Sequence, residues 1–283
     1  MNQRHHSFET PAPTRLRVEV PNGQITVTAA ETATTEVDLA APQGDSGAMA
    51  WVADAEVVQT NGEIVVRGPK VSLSLFRSWG PIEVRIRAPF GSDASLSIGA
   101  GGIETSGKLG RITANTGAGS VKLDDCDEAR AHTGAGNVEI GAVTGSVDTK
   151  TGAGKVTVGR IGADAHIVTA AGNAKVGDII GSGKFTTAHG NIEVDRAGDN
   201  LELFTASGNV EVRRADHGRV RAKTVSGRVS VGVPSGVSAL LDISTLSGRV
   251  RSDLAASNGP GDGEAQVELI LSTVSGNVNV GRA

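Results

Sequence analysis

The chain has 283 residues, a net charge of −4 and a pI near 5.9, and 39 of its residues are glycine. Five Phe, two Trp and no Tyr exclude a core built on large rings, so burial must come from many small aliphatic side chains. The weak negative charge, with no run of like charges, gives no electrostatic footprint for nucleic acid. No segment approaches the ~18 apolar residues of a membrane helix. The start, MNQRHHSFETPAPTRL, has no apolar stretch of the signal-peptide kind. The single cysteine, Cys126, excludes an intrachain disulfide and suits a reducing compartment. A cytoplasmic protein is expected, with neither nucleic acid nor membrane as partner.

Residues 1–13 show no hydrophobic period and are expected to be a flexible N-terminus. Residues 14–92 read as strands: RLRVEV, QITVTAA, TEVDLAA, DAEVVQT, EIVVRG and IEVRIRAPF, separated by turn signals. PNG at 21–23 and TNG at 60–62 predict tight hairpin connections. This region is expected to be a strand-rich cap, either β-sandwich-like or an irregular start to a solenoid, that protects the first repeat. Within it, VSLSLFRSWGPIE at 71–83 carries Phe76 and Trp79. Two readings of it are open: a hairpin that docks a partner or another copy, and a strand and turn packed on the first coil.

From residue 93 the chain repeats. NTGAGSVKL, HTGAGNVEI, KTGAGKVTV, VTAAGNAKV, TTAHGNIEV, FTASGNVEV, KTVSGRVSV, STLSGRVRS and STVSGNVNV follow one another. With the preceding Gly101, the turn glycines fall at 101, 119, 136, 154, 172, 190, 208, 227, 248 and 276, at spacings of 18, 17, 18, 18, 18, 18, 19, 21 and 28. A steady short period is the signature of a solenoid. Apolar residues stand two and four places after each glycine, as in Val138 and Ile140, with a polar residue such as Glu139 between them. That alternation is a strand with one buried face. Five places before the glycine come Leu96, Ile167, Phe185, Leu203, Ile243 and Leu271. Thr recurs three before the glycine and Asn often follows it, which predicts stacked ladders of like residues. Glycine itself suits a corner that needs positive φ. The expected fold is all-β: a parallel β-solenoid of about ten 18-residue coils over 93–283, preceded by the strand-rich cap.

In order along nearly the whole chain, FETPAPTRLRVEVPNGQITVTAAETATTEVDL, LFRSWGPIEVRIRAPFGSDASLSI and the SGNVEV-type repeats resemble the bacterial β-strand-repeat family known as "putative adhesins". That family is a domain of unknown function common in actinobacteria. The resemblance implies a β-solenoid, no established biochemical activity and no catalytic motif to carry over.

Ligand chemistry finds little purchase in the repeat. Glycine loops cradle phosphate where a strand leads into a helix N-terminus, and no helical period follows these glycines. Calcium-binding nonapeptides need Asp in the turn, where this chain has Asn, Ser, Lys or Arg. Asp124, Asp125, Asp127 and Glu128 form an acidic knot that reads either as a metal or acid–base site or as a solvated turn; its adjacent side chains point different ways. His132, His166, His189 and His217 fall at different offsets, which argues for surface histidines over a stacked metal site. Acids flanking Cys126 should raise its thiol pKa, so a buried apolar role is expected. Phe204 stands at an outward offset and is either a contact patch or chance. Arg219, Arg221, Lys223, Arg228, Arg249 and Arg251 make the last coils basic. No cofactor and no metal are expected.

These features point to a non-enzymatic structural or interaction protein that binds an unknown protein partner or itself. The closing segment NVNVGRA ends without an evident cap unless the loop at 253–266 folds over it. Phe76, Trp79 and Phe204 are the candidate contact residues. A surface adhesin, which needs an export route, and a carbohydrate-active β-helix enzyme, which needs convergent carboxylates, are the alternatives.

Overall fold

The structure, a computed structural model, describes residues 2–69, 80–254 and 266–283. The chain divides into two compact units, 1–141 and 142–283, so the boundary expected at 92/93 falls inside the first of them. Both units are built of stacked β-strands, as the repeat predicts.

The first unit holds β1 (Asn2–Glu9), β2 (Arg15–Ala30), β3 (Thr34–Ala41), helix α1 (Ser46–Asp54), β4 (Glu56–Thr60), β5 (Glu63–Arg67) and β6 (Ile82–Pro89). It continues with β7 (Asp93–Ser106), β8 (Leu109–Ala118), β9 (Val121–Leu123), β10 (Cys126–Ala135) and the start of β11 (Val138–Val143). β2 and β7 each bend through a corner, so each supplies both legs of one coil. One run of paired strands is β4–β5–β2–β7–β8–β10. The other is β1–β3–β6–β2–β7–β9–β11. Val18, Ile25, Val27, Leu96, Ile103, Ile112 and Val121 form the buried columns between the two runs.

Three local expectations change here. Residues 2–9 are not flexible: β1 pairs antiparallel with β3 along its whole length. The unpaired edge of β3 needs partners for its amides and carbonyls, and β1 supplies them. Arg4 Nη1 donates to the carbonyls of Val52 (2.9 Å), Ala53 (2.9 Å) and Ala55 (2.8 Å), closing the C-terminal end of α1. That helix was not anticipated. Asp45 Oδ1 caps its start by accepting from Ala48 N at 2.8 Å, and Trp51 is buried on its inner face. The PNG segment is not a hairpin either. Gly23 lies within β2, in register with Gly101 of β7, at φ +128°. It is a solenoid corner, and residues 15–30 form a coil of their own. TNG is a hairpin as expected, joining β4 to β5 with Asn61 at φ 52° and Gly62 at φ 74°, the two positive angles of a type I′ turn.

The second unit runs through β12 (Val147–Ala153), β13 (Val156–Ile161), β14 (Ala165–Ala171), β15 (Ala174–Ile179), β16 (Gly183–His189), β17 (Ile192–Ala197) and β18 (Leu201–Ser207). There follow β19 (Val210–Ala215), β20 (Gly218–Ser226), β21 (Val229–Val233), β22 (Ser238–Ser247), β23 (Val250–Ser252), β24 (Gln266–Ser275) and β25 (Val278–Arg282). All pair in parallel, coil upon coil. Gly190 shows how a corner works. Its φ is +151°, and a Cβ there would sit 2.0 Å from the carbonyl oxygen of Gly172 in the neighbouring coil. Only glycine permits both the angle and the approach. Thr205 Oγ1 then donates to Gly190 O at 2.9 Å, and Asn209 N donates to Asn191 Oδ1 at 2.8 Å. Threonines do stack in register, but the hydroxyls of Thr116, Thr133, Thr187, Thr205, Thr224, Thr245 and Thr273 bond the corner carbonyl of the adjacent coil in place of one another, while that of Thr169 is buried without a partner among the described residues. Asparagines likewise hold the next coil's amide. The Thr-x-x-Gly-Asn pattern is therefore a set of coil-to-coil bonds.

Coil order departs from chain order at the C-terminus. The longer legs pair as β12–β14–β16–β18–β20–β24–β22. The shorter legs pair as β13–β15–β17–β19–β21–β25–β23. The last coil in sequence thus inserts between its two predecessors. NVNVGRA is an inner coil, and residues 238–252 form the outer one. This corrects the expectation of an uncapped NVNVGRA end.

Candidate interaction surface

The outer coil differs from the one beneath it in burial, although the register is strict. Leu241 and Ile243 of β22 align with Leu269 and Leu271 of β24, and Val250 of β23 aligns with Val278 of β25. Leu269, Leu271 and Val278 are fully buried, whereas Val250 is 49% exposed. Outward-facing Leu240 and Leu246 are 56% and 85% exposed. Both β22 and β23 pair on one side only among the described residues.

A second feature adjoins it. Two places before the corner glycine, Val225, Val274 and Leu246 occupy successive coils and are 42%, 43% and 85% exposed. Earlier repeats have Gly or Ala at that offset. The change from small to aliphatic was visible in KTVSG, STVSG and STLSG, but only the coil order shows that the three stack side by side. Arg228 and Arg249 flank this ladder, and each has its backbone amide held by an asparagine side chain, Asn209 and Asn277. Arg251 is paired with Asp253 at 3.0 Å and Arg219 with Glu268 at 2.6 Å.

Of the residues singled out in the sequence, Phe76 and Trp79 lie outside the described residues. Phe204, on β18, is 37% exposed between Thr186 and Lys223. β20 and β24 separate it from β22, so it is not part of the outer coil.

The other constellations are absorbed by structure. Asp124 Oδ2 accepts from Gly107 N at 2.9 Å, Asp127 lies 3.5 Å from Lys108 Nζ, and Glu128 Oε2 lies 2.7 Å from Arg111 Nε. The bond from Arg111 and its positive charge hold the Glu128 carboxyl below its usual range. These acids bridge to the previous coil and do not converge on one another. His166 faces Asp148 at 3.6 Å, His189 stacks between Ala171 and Ser207, and His217 is an exposed loop residue. Among the described residues no group of three His, Cys, Asp or Glu is placed to hold a metal ion. A cavity of about 390 Å³ in the first unit is lined by Asn22, Gln24, Pro42, Pro81, Ile82 and Glu83 among others. Its ionisable residue, Glu83, is engaged by Arg85 at 2.5 Å. No described helix is long and apolar enough to cross a membrane.

Cys126 stacks on Leu109 and is 1% exposed. Burial first, then the charges of Asp127, Asp125 and Asp124, push its thiol up to about 12. At pH 8 its reaction with a maleimide is expected to be roughly 10³-fold slower in the folded protein than in denaturant, because the thiolate is the reacting form. Comparable rates in the two states would show that the thiol is accessible and normal.

Residues 104–281 match the model of the family described as Toastrack DUF4097, well over half of the chain. No curated protein matches. Among solved structures, a "putative adhesin" from Parabacteroides distasonis is 8% identical, with 98% of this chain and 96% of that one covered at a TM-score of 0.38. A "putative adhesin" from Parabacteroides merdae is 8% identical, with 99% and 96% covered at a TM-score of 0.38. A "putative cell adhesion protein" from Clostridium sporogenes is 10% identical, with 99% and 100% covered at a TM-score of 0.27. The actinobacterial attribution rests on the sequence resemblance alone. The family match takes in the repeats with their corner glycines and stacked coils, and the chain accordingly belongs to the Toastrack DUF4097 family.

Proposed function

We propose that the protein is a non-enzymatic structural and interaction protein that associates with copies of itself, in the cytoplasm. One observation carries the reading: the outer coil β22–β23 is paired on one side only, among the described residues, and exposes Leu240, Leu246 and Val250. Apolar side chains on an open strand edge mark a contact surface. The repeat supports the non-enzymatic part, because its recurring polar groups are spent on coil-to-coil bonds such as Thr205 to Gly190 and Asn209 to Asn191. The free, buried Cys126 fits a reducing compartment.

An adhesin-like role is the second reading. The exposed ladder of Val225, Val274 and Leu246 beside Arg228 and Arg249 favours it, since such a stripe suits an extended partner. Light scattering across a wide concentration series separates the two. Mass that rises with concentration supports self-association. A monomer at every concentration removes it and leaves a separate partner.

A further inference from the structure

Resting on the self-association reading, we infer that the protein forms a closed tail-to-tail pair, in which the outer coil β22–β23 of one copy stacks on the same coil of a second. Three features of the molecule select this occupant.

The first is the backbone. In equivalent coils the residue seven places before the corner glycine donates its amide to the following coil: Val147 to Asp164 O, Ala165 to Ser182 O, and Gly183 to Asn200 O, at 2.9, 2.9 and 2.8 Å. The same phase in β22 turns the amides and carbonyls of Leu241, Ile243 and Thr245 toward the open side. Among the described residues no strand pairs with these donors and acceptors on that side of the ten-residue β22. Another strand satisfies such a row at little cost.

The second is what the alternatives offer. The segment after β23, residues 255–265, reads AASNGPGDGEA. Its three glycines and its proline make a poor strand, and it has no Leu, Ile, Val or aromatic side chain to cover Leu240, Leu246 or Val250. Among the described residues, the first unit of another copy presents no equivalent open parallel coil. It carries β1 and the five-residue β4, each antiparallel to its neighbour, with α1 against β1 and β3. Head-to-tail growth into a filament therefore lacks a matching surface, whereas β22–β23 of a second copy brings the same apolar set. A two-fold axis joins them with strands antiparallel and closes the assembly at two copies.

The third is charge. Asp242 on β22 and Arg249 at the following corner are both exposed, and neither has an ion-pair partner among the described residues. One free charge of each sign on one coil is self-complementary under a two-fold axis, where like-signed ends would repel.

The test compares the full-length protein with two variants by light scattering and sedimentation equilibrium. Ile243→Pro removes an amide that faces the open side, and Leu246→Arg places a charge on the most exposed apolar side chain. The Leu246 side chain is 85% exposed, so the arginine variant keeps its fold, which circular dichroism checks. The expected result is a wild-type monomer–dimer equilibrium, with dimer Kd raised at least about ten-fold in each variant. A wild type that stays monomeric overturns both self-association and this inference. Dimers that neither variant weakens, or species that grow past two copies, leave self-association standing and overturn the tail-to-tail arrangement.

Discussion

Replacing Gly190 by alanine is expected to cost at least about 3 kcal/mol of folding stability. Two penalties coincide there. At φ +151° an L-residue is strained, and the new Cβ would lie 2.0 Å from the carbonyl oxygen of Gly172, a backbone atom that cannot rotate away. Relief requires the two coils to part, which breaks the bond from Thr187 Oγ1 to the Gly172 carbonyl and the bond from Asn191 N to Asn173 Oδ1. The check is a denaturant melt of the variant beside Gly62→Ala. Gly62 sits in the hairpin turn with open space around its missing Cβ, so its penalty comes from φ +74° alone. A Gly190→Ala loss no larger than that of Gly62→Ala would mean the corners are looser than the structure shows.

Phe185→Ala is expected to cost about 3–5 kcal/mol. Phe185 is fully buried and stacks between Ile167 and Leu203 in register. The neighbouring coil positions explain how a ring fits a core of small aliphatics. Gly183 stands where the adjacent coils have Ala165 and Leu201, and a Cβ on it would lie 3.0 Å from Phe185 Cζ and 2.7 Å from Leu201 Cδ2. The glycine gives up side-chain volume that the phenylalanine occupies. Gly183→Ala alone should therefore destabilise by overpacking, about 1–3 kcal/mol, and should cost less in a Phe185→Leu background. Additive losses in the double variant would show that the two sites do not share that space.

The pairing of Gly183 with Phe185 shows why the coil was legible in the sequence while its details were not. Inward and outward residues alternate with period two, and corner glycines recur at 17 to 21 residues, so strand, face and corner follow from position alone through Gly248. Where chain neighbours are also spatial neighbours, the repeat predicts the register, as Thr187 on Thr205 illustrates. It fails at both ends for one physical reason. Parallel pairing needs only that edges match, so a coil can accept a partner from far along the chain. β2 stacks on β7 although Gly23 and Gly101 are 78 positions apart in the chain, and a hairpin reading of PNG looked only at local chemistry. The 28-residue spacing between Gly248 and Gly276 was visible, but not that the later coil lies inside the earlier one. Helix α1 was hidden because AMAWVAD is too short for a helical period to stand out, and its ends are closed by Asp45 and by distant Arg4. The candidate surface suffered most. Phe204 stood out as an aromatic, whereas Leu240, Leu246 and Val250 belong to a coil that only the coil order shows to be outermost.

Hydrogen exchange measured across a concentration series tests the account most directly, because it reads coil order and end contact together. Amides of β24 between Val267 and Thr273 should be protected at every concentration, since that strand lies between β20 and β22. Amides of Leu241, Ile243 and Thr245 should exchange fast in dilute protein and gain protection as concentration rises. Fast exchange in β24 with a protected β22 would contradict the coil order, and concentration-independent exchange at Leu241, Ile243 and Thr245 would contradict the tail-to-tail pair.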